Sequence, residues 1–171
     1  MFNGFKKKFV KVNKGKIFCR FKGKGPPLLL LHGYPQTHVM WHKTAPELSK
    51  YFTVIVADLR GYGDSLVLPG GTNHKNYSKR EMSKDMVQLM TKLNFKNFFV
   101  AGHDRGGRVA HRMARDFRGK IFINHNKDLK GNNEVLNITN PQIIKDIHKS
   151  YIQSGASIIE TNTFGANLIA Q

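Results

Sequence analysis

The chain has 171 residues, 40% of them hydrophobic, with 28 Lys and Arg against 11 Asp and Glu and a net charge of +17. That length suits one modest domain, and no tract approaches the roughly 20 consecutive apolar residues of a membrane span, so a soluble protein without a membrane partner is expected. Cys19 is the single cysteine, which excludes an internal disulfide and fits a reducing cytoplasm, and no apolar stretch follows Lys6, Lys7 and Lys8 to make a secretory signal.

Residues 6–24 contain no acidic side chain. A cationic stretch of this kind could draw nucleic acid, but its lysines alternate with Phe9, Val10, Val12, Ile17, Phe18 and Phe21 around a turn at residues 13–16. That pattern predicts a hairpin with a solvated face, and nucleic acid is not expected as a partner. Residues 28–31, four leucines in a row, predict a strand buried on both faces, and the turn His32-Gly33-Tyr34-Pro35 ends it. A helix is expected over residues 41–50 with Pro46 near its start, then a second buried strand over 53–57 and a glycine-bearing loop over 58–65. Ser78 with Glu81 three places on is a capping-box pattern, and Met82, Met86, Leu89, Met90 and Leu93 follow at helical spacing. A third buried strand over 98–101 runs into Gly102-His103-Asp104-Arg105-Gly106 and a further helix. Strands separated by helices imply an α/β fold with a mainly parallel sheet, whose chemistry gathers at the carboxyl ends of the strands.

A Gly-x-nucleophile-x-Gly turn between strand and helix exposes its middle residue in a strained conformation, and here that residue is Asp104. A carboxylate so placed can attack carbon and form an ester that water then hydrolyses. The N–H of Arg105 would serve the developing oxyanion, and Tyr34, unlike Pro35, has an N–H to act as the second donor. Arg105 and Arg108 can lower the pKa of Asp104 by opposite charge and grip a substrate carboxylate in fork geometry.

The stretches "LLLLHGYPQTHVMWHKTAPELSKYFTVIVADLRGYGDS", "NYSKREMSKDMVQLMTKLNF" and "VAGHDRGGRVAHRMA" resemble the first half of α/β-hydrolases of the haloacetate dehalogenase and epoxide hydrolase group. The resemblance covers residues 1–115. It implies Asp104 as nucleophile, Arg105 and Arg108 as the carboxylate clamp, and a haloacetate-like small molecule as substrate. The family also uses a later acid, a cap and a late His. After Asp104 the chain offers His111, His125 and His148, and none fits that role, so the chain is expected to be incomplete as a catalyst. An epoxide-hydrolase-like remnant and a non-catalytic chimeric fragment are the alternatives.

Composition shifts after Ala114. "DLKGNNEVLNIT" and "SGASIIETNTFGAN" resemble the homocysteine-binding barrel of cobalamin-dependent methionine synthase, over residues 116–171. A segment this short is a partial (β/α) barrel, since a closed one takes about 250 residues. It predicts a helix from Pro141 with Ile143, Ile144, Ile147 and Tyr151 on one face, a strand over 157–159 and a loop over 161–163. The zinc-binding cysteines of that family are absent, and His38 and His42 read as a solvated pair without a third ligand, so neither metal nor cofactor is expected. With the sheet of residues 1–115 ending at its elbow helix, residues 28–31 and 98–100 are expected to be poorly covered, with self-association through unpaired strand edges.

Overall fold

Lysine alternation at the amino end produces an antiparallel hairpin, β1 (Lys6–Val12) and β2 (Gly15–Lys22), paired from Lys6 with Phe21 to Val12 with Gly15. The computed structural model describes residues 1–70 and 73–122, together with positions 142, 145, 146, 149 and 153. Val10, Val12, Ile17, Phe18 and Cys19 are buried while the lysines stay outside, but Phe9 is half exposed, edge-on to Phe18 at 5.1 Å. Burial pushes the Cys19 thiol up to about 12, the charge of Lys8 only partly opposing it.

The leucine run forms β3 (Pro27–Leu31), and the next two apolar runs form β4 (Thr53–Ala57) and β5 (Phe99–Gly102). The strand order is β1-β2-β4-β3-β5. β3 is parallel to both β4 and β5, whereas β2 joins β4 antiparallel. The sheet is therefore mixed, parallel across β4, β3 and β5 and antiparallel where the hairpin docks, rather than mainly parallel.

Between β3 and β4, a short 3-10 turn (His38–Trp41) and α1 (Thr44–Leu48) replace the continuous helix expected over 41–50. Pro46 has no N–H to return to residue 42, so a helix is stable only when Pro46 falls in its first turn. After β4, Ser78 caps α2 (Lys79–Lys92) by accepting the Glu81 N–H, as the sequence predicts. α3 (Arg105–Asp116) follows β5.

Both faces of the sheet are covered. Leu29, Leu31, Ile55 and Ala57 pack with Met82, Met86, Leu89 and Met90 of α2 and Val109 and Met113 of α3. Leu28, Leu30, Val54 and Val56 pack with Phe2, Phe5, Trp41 and Ala45. The expectation that residues 28–31 lack cover is thus wrong, because β3 is central and its leucines alternate between the two layers. Along β3, β4 and β5 the solvent-open positions are Ala101 and Gly102 at the end of β5.

The sheet also does not stop at the elbow helix. Beyond α3 the chain returns, and Ile121 bridges Phe98 in parallel, with Phe98 N–H donating to Lys120 O (3.0 Å) and Phe122 N–H to Phe98 O (2.9 Å). Contacts divide the chain into Met1–Ile123 and Asn124–Gln171. In the second unit, Gln142, Lys145, Asp146, Lys149 and Gln153 are helical and exposed, and Gln142 donates to Asp146 at 2.7 Å. The strand expected over 157–159 and the loop over 161–163 lie outside the described residues. Among the described residues no helix is long and apolar enough to cross a membrane.

Candidate active site

Three loops meet at the carboxyl ends of β3, β4 and β5. At the third, Asp104 has φ 46° and ψ −111°, a backbone position that L-residues seldom adopt. The flanking glycines make it reachable. A Cβ on Gly102 would lie 2.6 Å from the Gly107 nitrogen, and one on Gly106 would lie 2.6 Å from the His32 carbonyl oxygen and closer still to that of Leu31. The turn is thereby pressed against the end of β3, where His103 N–H donates to Leu31 O (3.0 Å). Gly106→Ala is accordingly expected to cost about 1 to 3 kcal/mol through overpacking against backbone that cannot retreat, read as a lower urea midpoint with an unchanged slope.

Asp104 sits at the amino end of α3, where the helix dipole favours an anion. Tyr34 N–H donates to its Oδ2 at 2.9 Å. The Tyr34–Pro35 peptide is cis, and Gly33 leaves the room for this approach, since a Cβ there would meet the Asp104 Cβ at 2.8 Å. The backbone N–H of Tyr34, followed by that of Arg105, holds the exposed Asp104 carboxyl below its usual range, with His103 and Arg108 adding smaller electrostatic contributions. The sequence alone points to the two arginines as the cause of this lowering. Backbone donors outweigh them because they touch the carboxylate directly, whereas a solvated guanidinium is screened.

All four predicted site residues therefore converge. Arg105 projects its guanidinium across the rings of Tyr34 (5.5 Å) and Tyr62 (5.7 Å), and Arg108 stands exposed on the next turn of α3. Lys79, at the start of α2, is a third cation the sequence reading did not single out. Burial, then the like charges of Arg105 and Arg108, push its ammonium down, with Asp104 opposing. The mouth is thus an anion-attracting site around a carboxylate.

Beneath it lies a buried polar layer, also unrecognised in the sequence. His32 is fully buried, its Nδ1 is 2.9 Å from Gly33 O, and its Nε2 accepts the Leu59 N–H at 3.0 Å. Asp58 accepts His38 N–H (2.6 Å) and Asp64 N–H (3.1 Å) and lies 2.9 Å from His38 Nδ1. Burial pushes Asp58 up, but these bonds together outweigh it and leave its pKa lowered. Arg60 makes a two-pronged contact with Asp85 (2.6 and 2.7 Å) and a third bond to Asn76 O (2.6 Å). His38, expected to pair with His42 in solvent, is instead buried, while the His42 ring bonds to Val39 O. The loop of residues 58–65 needed a partner for Asp58, and only the fold supplies it. Chain order gave no signal for His32, because both of its bonds run to backbone.

The sequence matches the α/β hydrolase fold family over residues 26–124 and the homocysteine S-methyltransferase family over residues 106–171. It is 51% identical over 122 residues to a fluoroacetate dehalogenase from Burkholderia sp, covering 71% of this chain and 40% of that protein. A soluble epoxide hydrolase from Corynebacterium sp. (strain C12) is 42% identical over 104 residues, covering 59% of this chain and 35% of that one. Among solved structures, a Nostoc sp PCC 7120 protein described as an alpha/beta hydrolase superposes with TM-score 0.70 at 38% identity, covering 88% of this chain and 62% of that one. The chain spans 40% or less of the length of the two curated relatives.

Proposed function

The chain belongs to the α/β hydrolase fold family, and on that premise we propose that Asp104 is the nucleophile of a haloacetate-dehalogenase-type reaction whose substrate carboxylate is held by Arg105 and Arg108. The observation that carries this reading is the Asp104 carboxylate itself, exposed at a strained strand-to-helix turn with the Tyr34 N–H on Oδ2. With Oδ2 held by that bond, Oδ1 is the oxygen assigned to attack the halogen-bearing carbon. The C–O bond forms, the carbon–halogen bond breaks, and the halide leaves with the electron pair. Water attack at Cγ of the resulting ester would place an oxyanion on Oδ2, facing the N–H groups of Tyr34 and Arg105, and would release glycolate.

The second step needs a base beside the ester. His111 is exposed seven positions along α3, and His125 and His148 lie outside the described residues. The 171-residue chain is therefore expected to release about one equivalent of halide and stop at the ester. Mass spectrometry after incubation with bromoacetate tests this: an ester on Asp104 is expected, and sustained halide release above a heat-killed control would overturn the single-turnover reading. An ester that forms with an epoxide but not with a haloacetate would favour epoxide opening instead.

The clamp has its own test. Arg108→Lys is expected to slow ester formation from bromoacetate roughly tenfold to a hundredfold, because an ammonium cannot reproduce a two-pronged contact worth about 1.5 to 3 kcal/mol. A bromoalkane without a carboxylate should react equally with both chains.

The second family match supports a joined architecture, with hydrolase sequence to about residue 115 and a methyltransferase-type barrel fragment beyond it. The two matches overlap within residues 106–124. Sequencing the gene across residues 106–124 tests it, since an uninterrupted frame in independent isolates is expected.

A further inference from the structure

Each peptide group holds its C=O and N–H in one rigid plane, pointing in opposite directions. The Gly33–Tyr34 peptide uses both ends: Tyr34 N–H reaches Asp104 Oδ2 at 2.9 Å, and Gly33 O faces His32 Nδ1 at 2.9 Å. The Nε2 of the same ring accepts the Leu59 N–H at 3.0 Å. One tautomer alone satisfies both contacts, with the proton on Nδ1 and a lone pair on Nε2. The ring is fully buried and packs edge-on against Tyr62 at 5.1 Å. Gln36 N–H also donates to Gly33 O at 3.0 Å, so the carbonyl is held from two directions.

We propose that His32 is a positioning residue: its Nδ1–H fixes the plane of the Gly33–Tyr34 peptide and thereby aims the Tyr34 N–H at Asp104. This deepens the reading of Tyr34 as an oxyanion donor and rests on it. His32 never touches the substrate. Its neutral form is required, since a proton on Nε2 would confront the Leu59 N–H, and burial, the largest influence on the ring, pushes its pKa down from the ordinary imidazole value. Rotating the peptide the other way would turn a carbonyl oxygen toward the carboxylate, which would repel it.

Two near-isosteres separate the ring's functions. An Asn amide nitrogen can occupy the place of Nδ1, keeping the donor to Gly33 O and giving up the acceptor for Leu59. A Gln amide reaches the place of Nε2 and gives up the donor. Asp104 reports the outcome without any turnover, because the Tyr34 N–H is the main cause of its lowered pKa. Carbon-13 titration of the Asp104 carboxyl should show a rise of roughly half a unit to one unit in His32→Gln, the scale of one charge-assisted hydrogen bond partly retained through Gln36. In His32→Asn the rise should be clearly smaller. Nitrogen-15 spectra of the unmodified chain should show the Nδ1–H tautomer at neutral pH, a readout that survives even if a variant fails to fold.

An Asp104 pKa unmoved in a folded His32→Gln chain, equal rises in the two variants, or an Nε2–H or doubly protonated ring at neutral pH would each overturn the proposal. Failure of the nucleophile reading looks different: no ester on Asp104 in the unmodified chain, whatever the titrations show. Where the ester does form, its cleavage by hydroxylamine should slow on the order of a hundredfold at most in His32→Gln, the effect of a misaimed oxyanion donor.

Discussion

In a chain carrying Asp104→Asn, bromoacetate is expected to leave no ester at position 104, a loss of at least about a thousandfold in the rate of adduct formation. The substitution isolates chemistry from folding. Asn tolerates positive φ as well as Asp does, and its amide oxygen can still accept the Tyr34 N–H that now binds Oδ2. What disappears is the anionic oxygen whose electron pair displaces the halide. Side reactions can be told apart by position. Cys19, otherwise the most reactive nucleophile toward a haloacetate, is buried with its thiol pushed up to about 12, so almost no thiolate exists at neutral pH. Exposed imidazoles such as that of His111 should give the same low background in both chains. Peptide mapping that finds the label undiminished in Asp104→Asn would show that the ester never resided on the elbow carboxylate.

The parts of this site that were legible in the sequence are those set by local chemistry. Residues 28–31 and 53–57 read as buried strands because four or five consecutive apolar residues between turn signals leave few other structures open to them, whereas the run over 98–101 gives a strand one residue further on, half-buried at its start and open to solvent at its end. Ser78 and Glu81 announced the start of α2 because a capping interaction spans only three residues. Asp104 was legible because glycines two places to either side are needed wherever a strand bends sharply into a helix.

Features that depend on distant partners were not legible. Nothing in "DLRGYGDS" says that Asp58 would meet His38 or that Arg60 would find Asp85 on α2, since those contacts join residues 20 and 25 positions apart, beyond the reach of local periodicity. Chain order excludes His32 as the late catalytic base, and its geometry agrees, with both ring nitrogens committed to backbone. The pattern around Pro46 was misjudged for a local reason: apolar spacing over 41–50 suits a helix, but a missing N–H overrides spacing. The compositional break at Ala114 hid the return of Ile121 to the sheet, because a single bridge needs one apolar residue and no periodic pattern.

Asp85→Ala should destabilise the first unit by about 3 to 5 kcal/mol, the usual cost of leaving one member of a buried ion pair without its partner. Arg60 is 1% exposed and Asp85 2%. Burial pushes the Asp85 carboxyl up from its ordinary value, and Arg60 offsets only part of that, so the pair supplies little net stability while each member makes the other indispensable. The double change Arg60→Met with Asp85→Leu should accordingly recover most of the loss, short of the bond that Arg60 Nη1 gives to Asn76 O. Urea titration of the three chains checks this. The same pair also bears on the site, because Arg60 anchors the loop in which Tyr62 lies against Arg105 and His32. A core change of similar cost, Leu28→Ala at about 2 to 5 kcal/mol, weakens the fold from the other face of the sheet, in the cluster with Phe2, Phe5 and Trp41 rather than in the one that includes Leu59. At a temperature where both variants remain folded, Asp85→Ala should therefore form the Asp104 ester more slowly than Leu28→Ala. Equal rates would mean that the ion pair holds the fold together but does not set the position of the arginine above the nucleophile.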